Sequence, residues 1–431
     1  MSRSKRFIYK KKKKRLLKNR IIFLSSFLFI LTFSFLIFTY GNNQKNNNTT
    51  SSNPKVVQAL SSAQETSTLT LSTAGDIMTH MPQLKAQYDN SSNTYNFDNN
   101  FQHVKHILEN ANLSIANLET TLAGTSVPYS SYPTFNTPDD IIDSLKYAGI
   151  DILSTINNHS FDKGDLGIKR TLDICKEKEI ETIGTSNKNE NRHIIKEIND
   201  ISLGIVAFSY GEIINNNKYL NGIKISDGSK DNMNIFDMHD VNKAFNTIKK
   251  ELDKIRNTDT QIAVLHWGNE YQRTPSKFQK ELAQKLCDYG VDIIVGSHPH
   301  VVQPVEIIRS KDNYTNTLVI YSLGNFISNQ RQELLNTPYT EDGLIVSIEL
   351  TKDHTKNQTL ISSVNCIPTW VNKYKNFNKD VYEIIPIYSK EQLLEINNLP
   401  MERLKLSYEN TVSQIKTSDI IKVPQNIFEQ K

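Results

Sequence analysis

Short aliphatic runs alternate with helix-like stretches that stop on glycine, and this alternation confines the chain to layered α/β architectures. Residues 68–74 alternate Leu69, Leu71 and Thr73 with polar partners. Residues 113–116, 150–153, 201–208, 261–265, 291–295, 318–322 and 344–350 are β-branched or aliphatic and bounded by turn residues, which predicts strands. Residues 138–148 and 275–289 read as helices that close on Gly149 and Gly290 just past their last turn. No GxGxxG, GxxxxGK(S/T) or GxSxG pattern occurs, so dinucleotide, P-loop and serine-hydrolase readings lack a motif. Cys175, Cys287 and Cys366 are too few and too separated for a disulfide scaffold or a CxxC zinc module.

One device occurs twice. Leu145 to Leu153 (LKYAGIDIL) leads into Asn157-Asn158-His159, and Leu286 to Ile294 (LCDYGVDII) leads into His298-Pro299-His300. Counted from Gly149 and Gly290, Asn157 and His298 share one offset, and His159 and His300 share another. Other strand ends are equally polar: Gly75-Asp76, Asn117-Leu118-Glu119 and His266-Trp267. The carboxyl ends of strands in open α/β sheets are where ligands bind. Taken singly, an Asp after a strand is usually a turn or cap residue, and a His there is more often a satisfied core residue. Five such ends in one ordered series point to a common site.

Carboxylate, carboxamide and imidazole donors make a mixed oxygen and nitrogen set, which suits Mn, Fe or Zn better than all-oxygen Mg or Ca sites or thiolate sites. Two such ions sharing a carboxylate stabilise the entering and leaving oxygens of a phosphoryl or acyl displacement. An imidazole outside the ligand set suits protonation of a leaving group.

Charge divides the chain in two. Of its 50 Lys and Arg residues, 13 precede the first acidic residue, Glu65; the remaining 37 stand against 46 Asp and Glu, a net of −9 over residues 65–431. Eleven of the 13 fall in residues 1–20, and residues 21–40 carry no charge, Pro or Gly. Twenty residues at about 1.5 Å each cross a hydrocarbon core of about 30 Å, longer than the apolar stretch of a secretory signal. The expected arrangement is a basic cytoplasmic segment (1–20), one uncleaved transmembrane helix (21–40), and an extracytoplasmic remainder, as the positive-inside rule requires. Residues 41–64, rich in Asn, Ser and Thr, read as a flexible linker. The basic cluster directly flanks the apolar run, as a cytoplasmic flank should, and no recognisable nucleic-acid-binding fold surrounds it, so no nucleic-acid partner is expected.

The ordered series Gly75-Asp76, Asn117-Leu118-Glu119, Asn157-Asn158-His159 with Asp162 and Gly164, His266 to Tyr271 (HWGNEY), Gly296 to His300 (GSHPH) and Tyr321 to Phe326 (YSLGNF) resembles the motif series of the CapA/PgsA family of poly-γ-glutamate capsule biosynthesis proteins. The resemblance runs from about residue 68 to about residue 349, and it implies a four-layer α/β/β/α fold related to the calcineurin-like metallophosphatases. It implies metal ligation by Asp76, Glu119, Asn158, His266, His298 and His300, and a general-acid role for His159. His80, Asn117, Asp162, Glu270 and Asn325 stand as residues around these ligands or against the substrate. Two departures are visible. The phosphatases carry Asp-x-His on the first strand, where this chain has Asp76-Ile77-Met78, so one metal site loses a donor unless His80 replaces it. Glu119 also stands where they place a shorter bridging Asp, leaving one or two ions open.

The expected organisation is therefore a CapA-like domain over 65–350 and a C-terminal extension over 351–431 that packs on or follows it, with residues 390–414 helical. The expected role is support of synthesis, export or anchoring of a poly-γ-glutamate-type polymer, with the membrane and the polyanion or its synthase complex as partners. A free-standing metal-dependent phosphoesterase or amide hydrolase is the alternative, and a metal-free scaffold a third.

Overall fold

The computed structural model describes residues 65–397 and 399–428. The expected basic segment, transmembrane helix and residues 41–64 of the linker lie outside the described residues. Among the described residues no helix is long and apolar enough to cross a membrane.

The main strands, in chain order, are β1 (Thr66–Ile77), β2 (Leu113–Leu118), β3 (Ile152–Ser154), β4 (Glu181–Ile183), β5 (His193–Ile198), β6 (Ile201–Ile214), β7 (Asn217–Leu220), β8 (Ile223–Lys224), β9 (Ile235–Asp237), β10 (Thr260–His266), β11 (Ile293–Ser297), β12 (Val305–Arg309), β13 (Asn316–Ile320), β14 (Asn325–Ile327), β15 (Asp342–Asp353), β16 (Gln358–Asn376), β17 (Lys379–Pro386) and β18 (Ile421–Lys422). The first sheet has the order β17-β16-β15-β1-β2-β3-β4, with β14 against β1 and β18 against β16. The second has the order β8-β7-β6-β10-β11-β13-β12, with β5 and β9 against β6. The central strands β1 to β4, and likewise β6, β10, β11 and β13, run parallel. The helices that concern the site and its supports are α1 (Met81–Gln87), α2 (Asp140–Tyr147), α3 (Gly164–Glu177), α4 (Val241–Leu252), α5 (Lys277–Tyr289) and α6 (Met401–Val412).

Three apolar clusters separate four layers. Ile262 and Val264 of β10 enter one cluster with Leu69, Leu71, Ile115 and Ile152 of the first sheet, so the sheets pack face to face. The alternate residues Ala263 and Leu265 point the other way, onto Ala244, Ile248 and Leu252 of α4 and Leu282 and Leu286 of α5. On the outer face of the first sheet, Ala116, Leu118 and Leu153 meet Ile141, Ile142 and Leu145 of α2. Strands covered on both faces explain why the sequence shows continuous aliphatic runs instead of apolar–polar alternation. Removing one buried side chain such as Leu286 costs about 2–5 kcal/mol through the cavity it leaves.

The repeated device is real in three dimensions. After α2, Gly149 (φ 91°) donates to Lys146 and Ile150 donates to Leu145; after α5, Gly290 (φ 102°) donates to Cys287 and Val291 to Leu286. Both are the paired bonds that satisfy the last carbonyls of a helix, and both need a left-handed residue. Asp151 then receives the Ser114 amide at 2.8 Å, and Asp292 receives the Gln261 amide at 2.7 Å, so each unit is braced to its neighbouring strand by an aspartate.

Residues 351–386 complete the first sheet. β15 pairs with β1 in antiparallel register from Thr66 opposite Asp353 to Thr73 opposite Val346. A boundary at residue 350 therefore falls inside a strand, and β16 and β17 extend the same sheet. Two short helices, Lys390–Glu395 and α6, follow. Arg403 of α6 shares the buried Glu341 carboxylate with Arg331 and the Trp370 indole, which fixes this segment to the sheet.

Candidate metal centre

The two sheets each present their carboxyl ends to one site. β1 supplies Asp76, β2 leads to Glu119, and the loop after β3 carries Asn158 and His159; β10 supplies His266, and the loop after β11 carries His298 and His300. Close backbone approach makes glycine necessary beside two of them. A Cβ on Gly75 would lie 1.9 Å from the Gly324 carbonyl oxygen, and one on Gly296 would lie 2.0 Å from that of Tyr321. The register of β1 against β2 also slips between Thr73 and Asp76, an irregularity that re-aims the Asp76 side chain. His298 (φ 97°) and His300 (φ 56°) both adopt left-handed backbone, which turns two imidazoles spaced two residues apart into the same site.

Two groups of potential ligand atoms result, each with its atoms within 4.8 Å of one another: Glu119, His298 and His300, and Asp76, Glu119 and His266. Glu119 belongs to both. Its Oε1 lies 3.6 Å from His266 Nε2 and 3.8 Å from His300 Nε2, while Asp76 Oδ2 lies 3.2 Å from His300 Nδ1. Asn117 holds the two carboxylates together, donating to Asp76 Oδ1 at 2.8 Å and to Glu119 Oε2 at 3.2 Å. Asn158 Oδ1 lies 2.8 Å from His266 Nε2, and Ser297 Oγ lies 2.9 Å from His266 Nδ1. Asn325 Oδ1 lies 3.1 Å from His300 Nδ1.

Electrostatics favours a cation here. Burial, then the neighbouring Asp76 charge, pushes the Glu119 carboxyl well above the usual carboxylate range. Burial, reinforced by the other imidazoles, holds His266 and His298 well below the usual histidine value. Neutral imidazoles beside carboxylates are ligands in waiting, and the approach of His266 to Glu119 is not an ion pair. Buried polar atoms are almost always partnered, yet Glu119 Oε1 and His298 Nδ1 have no hydrogen-bond partner. The donor set and these two orphaned atoms fit a divalent metal ion.

His159 is placed differently. Its Nδ1 lies 2.8 Å from Asp162 Oδ2, which also receives the Phe135 amide at 2.6 Å, and the Phe135 ring meets the imidazole edge-on at 4.8 Å. A carboxylate on Nδ1 fixes the ring orientation and leaves Nε2 as the working nitrogen. His80 belongs to neither ligand group. It opens α1, its amide donates to Gln83 Oε1 at 2.8 Å, and its Nδ1 receives the Asn329 amide at 3.3 Å. Burial lowers it to about 4. Met78 is buried, with its amide donating to Ile327. Glu270 is exposed and precedes Tyr271, whose ring lies 6.1 Å from that of His300 and whose hydroxyl receives Gln330 Nε2 at 3.4 Å.

Two further residues escaped the sequence reading, Tyr210 and Asn221, and Ser297 lay within the GSHPH motif without an assigned role. The Tyr210 ring lies parallel to His266 at 6.1 Å and tilts onto His298 at 4.6 Å. A signal for Tyr210 existed, because it follows the aliphatic run 201–208 as the other site residues follow theirs. Asn221, which receives Asn158 Nδ2 at 3.3 Å, opens the Asn221-Gly222 turn between β7 and β8, a turn the dipeptide announces but nothing in the sequence ties to the site.

A solved phosphatase from Mycoplasma pneumoniae aligns over 70% of this chain and 93% of its own, at a TM-score of 0.38 and 14% identity, too weak a likeness to support an inference. Capsule biosynthesis protein CapA of Bacillus anthracis is 29% identical over 277 residues, 62% of this chain and 61% of that protein. PGA biosynthesis protein CapA of Bacillus subtilis (strain 168) is 28% identical over 216 residues, 49% of this chain and 50% of that protein. The chain thus spans between half and three-fifths of these relatives. The family described as bacterial capsule synthesis protein PGA_cap matches residues 70–330, more than half of the chain and every site residue named above, and the chain belongs to that family.

Proposed function

We infer that this chain supports synthesis, export or anchoring of a poly-γ-glutamate-type capsule polymer through a divalent-metal site on a membrane-tethered, extracytoplasmic domain. The observation that carries the reading is the shared position of Glu119 in both ligand groups, in a chain of the PGA_cap family. The anchor and its orientation rest on the charge-free run 21–40 behind the basic segment 1–20. Mn, Zn or Fe suits the donors, one ion or two, held by Asp76, Glu119, Asn158, His266, His298 and His300. Such an ion supplies Lewis acidity to a phosphoryl or acyl oxygen. Asn117 bridges and orients the two carboxylates, and Asp162 keeps His159 aimed. Deleting the gene in a polymer-producing strain is expected to abolish surface polymer, and Glu119→Gln is expected to reproduce the loss. Unchanged polymer after deletion overturns the reading.

A second reading, a free-standing metal-dependent phosphoesterase or amide hydrolase, is favoured by the His159–Asp162 pair beside the ligands. It expects the purified chain, loaded with Mn or Zn, to hydrolyse a model phosphodiester or a γ-glutamyl chain. His159→Ala would slow that hydrolysis by about 10²–10⁴-fold. Hydrolysis unchanged in this variant counts against it.

A further inference from the structure

A groove of about 940 Å³ lies between α1 and the turn joining β16 to β17. Its wall is aromatic. Tyr88, Tyr95 and Tyr129 pack in series, at 5.1 Å and 5.5 Å between ring centres, and Phe377 caps the opposite side with 97% of its surface exposed. Exposed lysines, Lys85 on α1 and Lys379 on β17, stand at its edges. Lys379 spends one of its three donors on the Tyr88 carbonyl at 2.9 Å, and Lys85 makes no ion pair among the described residues. The groove's acid, Asp89, is turned onto the amide and hydroxyl of Ser91. On a domain of net negative charge, this is a local cationic edge over an apolar floor.

The groove shares its supports with the metal centre. Met81 in its wall directly follows His80, whose Nδ1 receives the Asn329 amide. Asn329 Oδ1 in turn accepts from Lys373 and Tyr382 of the two strands that form the groove's far side. Thr369 of β16 lies opposite Gly343, which adjoins Gly324, the acceptor of the Asp76 amide; β16 then runs on to the turn at Phe377. The groove therefore lies at the site end of the first sheet, away from Thr66.

We propose that this groove binds a stretch of the anionic polymer, an extended chain of methylenes and amides bearing carboxylates, next to the metal centre. Ring faces receive the methylene segments, and Lys85 and Lys379 receive carboxylates. This rests on the polymer role inferred above. A nucleic acid needs more cations than these two, and a bilayer meets only the Phe377 tip.

The test uses the full chain in detergent and a fluorescent γ-linked glutamate decamer. Wild type is expected to bind it with a strong salt dependence. Lys85→Glu with Lys379→Glu is expected to weaken binding by at least about tenfold, and Phe377→Ala by a smaller factor, while the metal content of each variant stays unchanged. Decamer affinity unaltered in both variants, or no binding by wild type, overturns the groove assignment. Binding of anionic lipid vesicles that is lost in Phe377→Ala, without decamer binding, also overturns it in favour of a membrane contact. The polymer role itself is judged separately by surface polymer after gene deletion, so the two failures are distinguishable.

Discussion

The α2–β3 unit and the α5–β11 unit share their construction and differ in what they deliver. In both, a left-handed glycine ends the helix and an aspartate braces the following strand to its neighbour. Beyond the strand they part. The first loop turns Asn158 toward His266 and His159 onto Asp162. The second puts His298 and His300 on left-handed backbone so that both rings join the ligand group with Glu119. Residues that satisfy the backbone are common to both units, whereas residues past the last paired amide are free to differ. Chemistry thus varies on a scaffold that does not.

The largest effects should come from the glycines at the strand ends. Gly296→Ala and Gly75→Ala each drive a methyl group into a backbone carbonyl that no rotamer change can move. A cost of about 3 kcal/mol or more is expected, seen as loss of cooperatively unfolding protein. Gly290→Ala, with no atom within 4 Å of the added carbon, should cost only about 1 kcal/mol, for its left-handed backbone. Gly75→Ala folding as stably as wild type would remove close approach as the reason for these glycines.

Next come the two loops. His298→Ala should lower bound metal, measured by elemental analysis of the purified protein, whereas His159→Ala should leave it unchanged. Equal metal loss in both variants would erase the distinction drawn between the loops.

The aspartate braces differ in surroundings. Asp151 is exposed, whereas burial pushes Asp292 up to about 6, against the pull of the Gln261 amide. The folded protein therefore holds the Asp292 proton more tightly than the unfolded chain, where aspartate titrates near 3.9. Below about pH 3 both states are protonated and this group is neutral for stability. As pH rises toward about 6, stability should fall by about 2 kcal/mol through Asp292 alone. Asp292→Asn, which keeps an oxygen for Gln261, should flatten that part of the urea-midpoint profile. A profile unchanged by the substitution would show that the difference between the braces has no energetic weight.

The smallest effect concerns helix starts. Ser276 caps α5, accepting the Gln279 amide at 3.2 Å, so Ser276→Ala should cost about 1 kcal/mol in a denaturant titration. Asp139 before α2 instead pairs with Arg170 through both oxygens, and Asp139→Asn should cost less than that.

The sequence made the sheet cores legible because strands covered on both faces announce themselves as aliphatic runs: five of the eight predicted runs lie wholly in strands, and 150–153, 291–295 and 318–322 overlap theirs with a shift of up to two residues. The ligand series was legible for a related reason: polar residues directly after such runs have no place in the core. Reading failed where partners distant in sequence decide. β16 contains Pro368 and several Asn residues, which argue locally against a strand, yet Pro368 lies opposite Leu344 of β15 and Trp370 opposite Asp342. Tyr210 was hidden by ending its strand at Phe208, although β6 continues to Ile214. Asn221 reaches the site only through the chain reversal of β6 and β7.

The pairing of β1 with β15 has a practical consequence for anyone shortening this protein. The match to the PGA_cap family covers residues 70–330 and stops before β15 begins. A fragment cut there would leave Thr66 to Thr73 with unpaired amides and carbonyls along one side of a long, regular strand. Such an edge invites addition of a strand from a second molecule, the first step toward aggregation. Residues 342–353 therefore cover the edge of the strand that carries Asp76, and an intact β15 is what a shortened protein must keep.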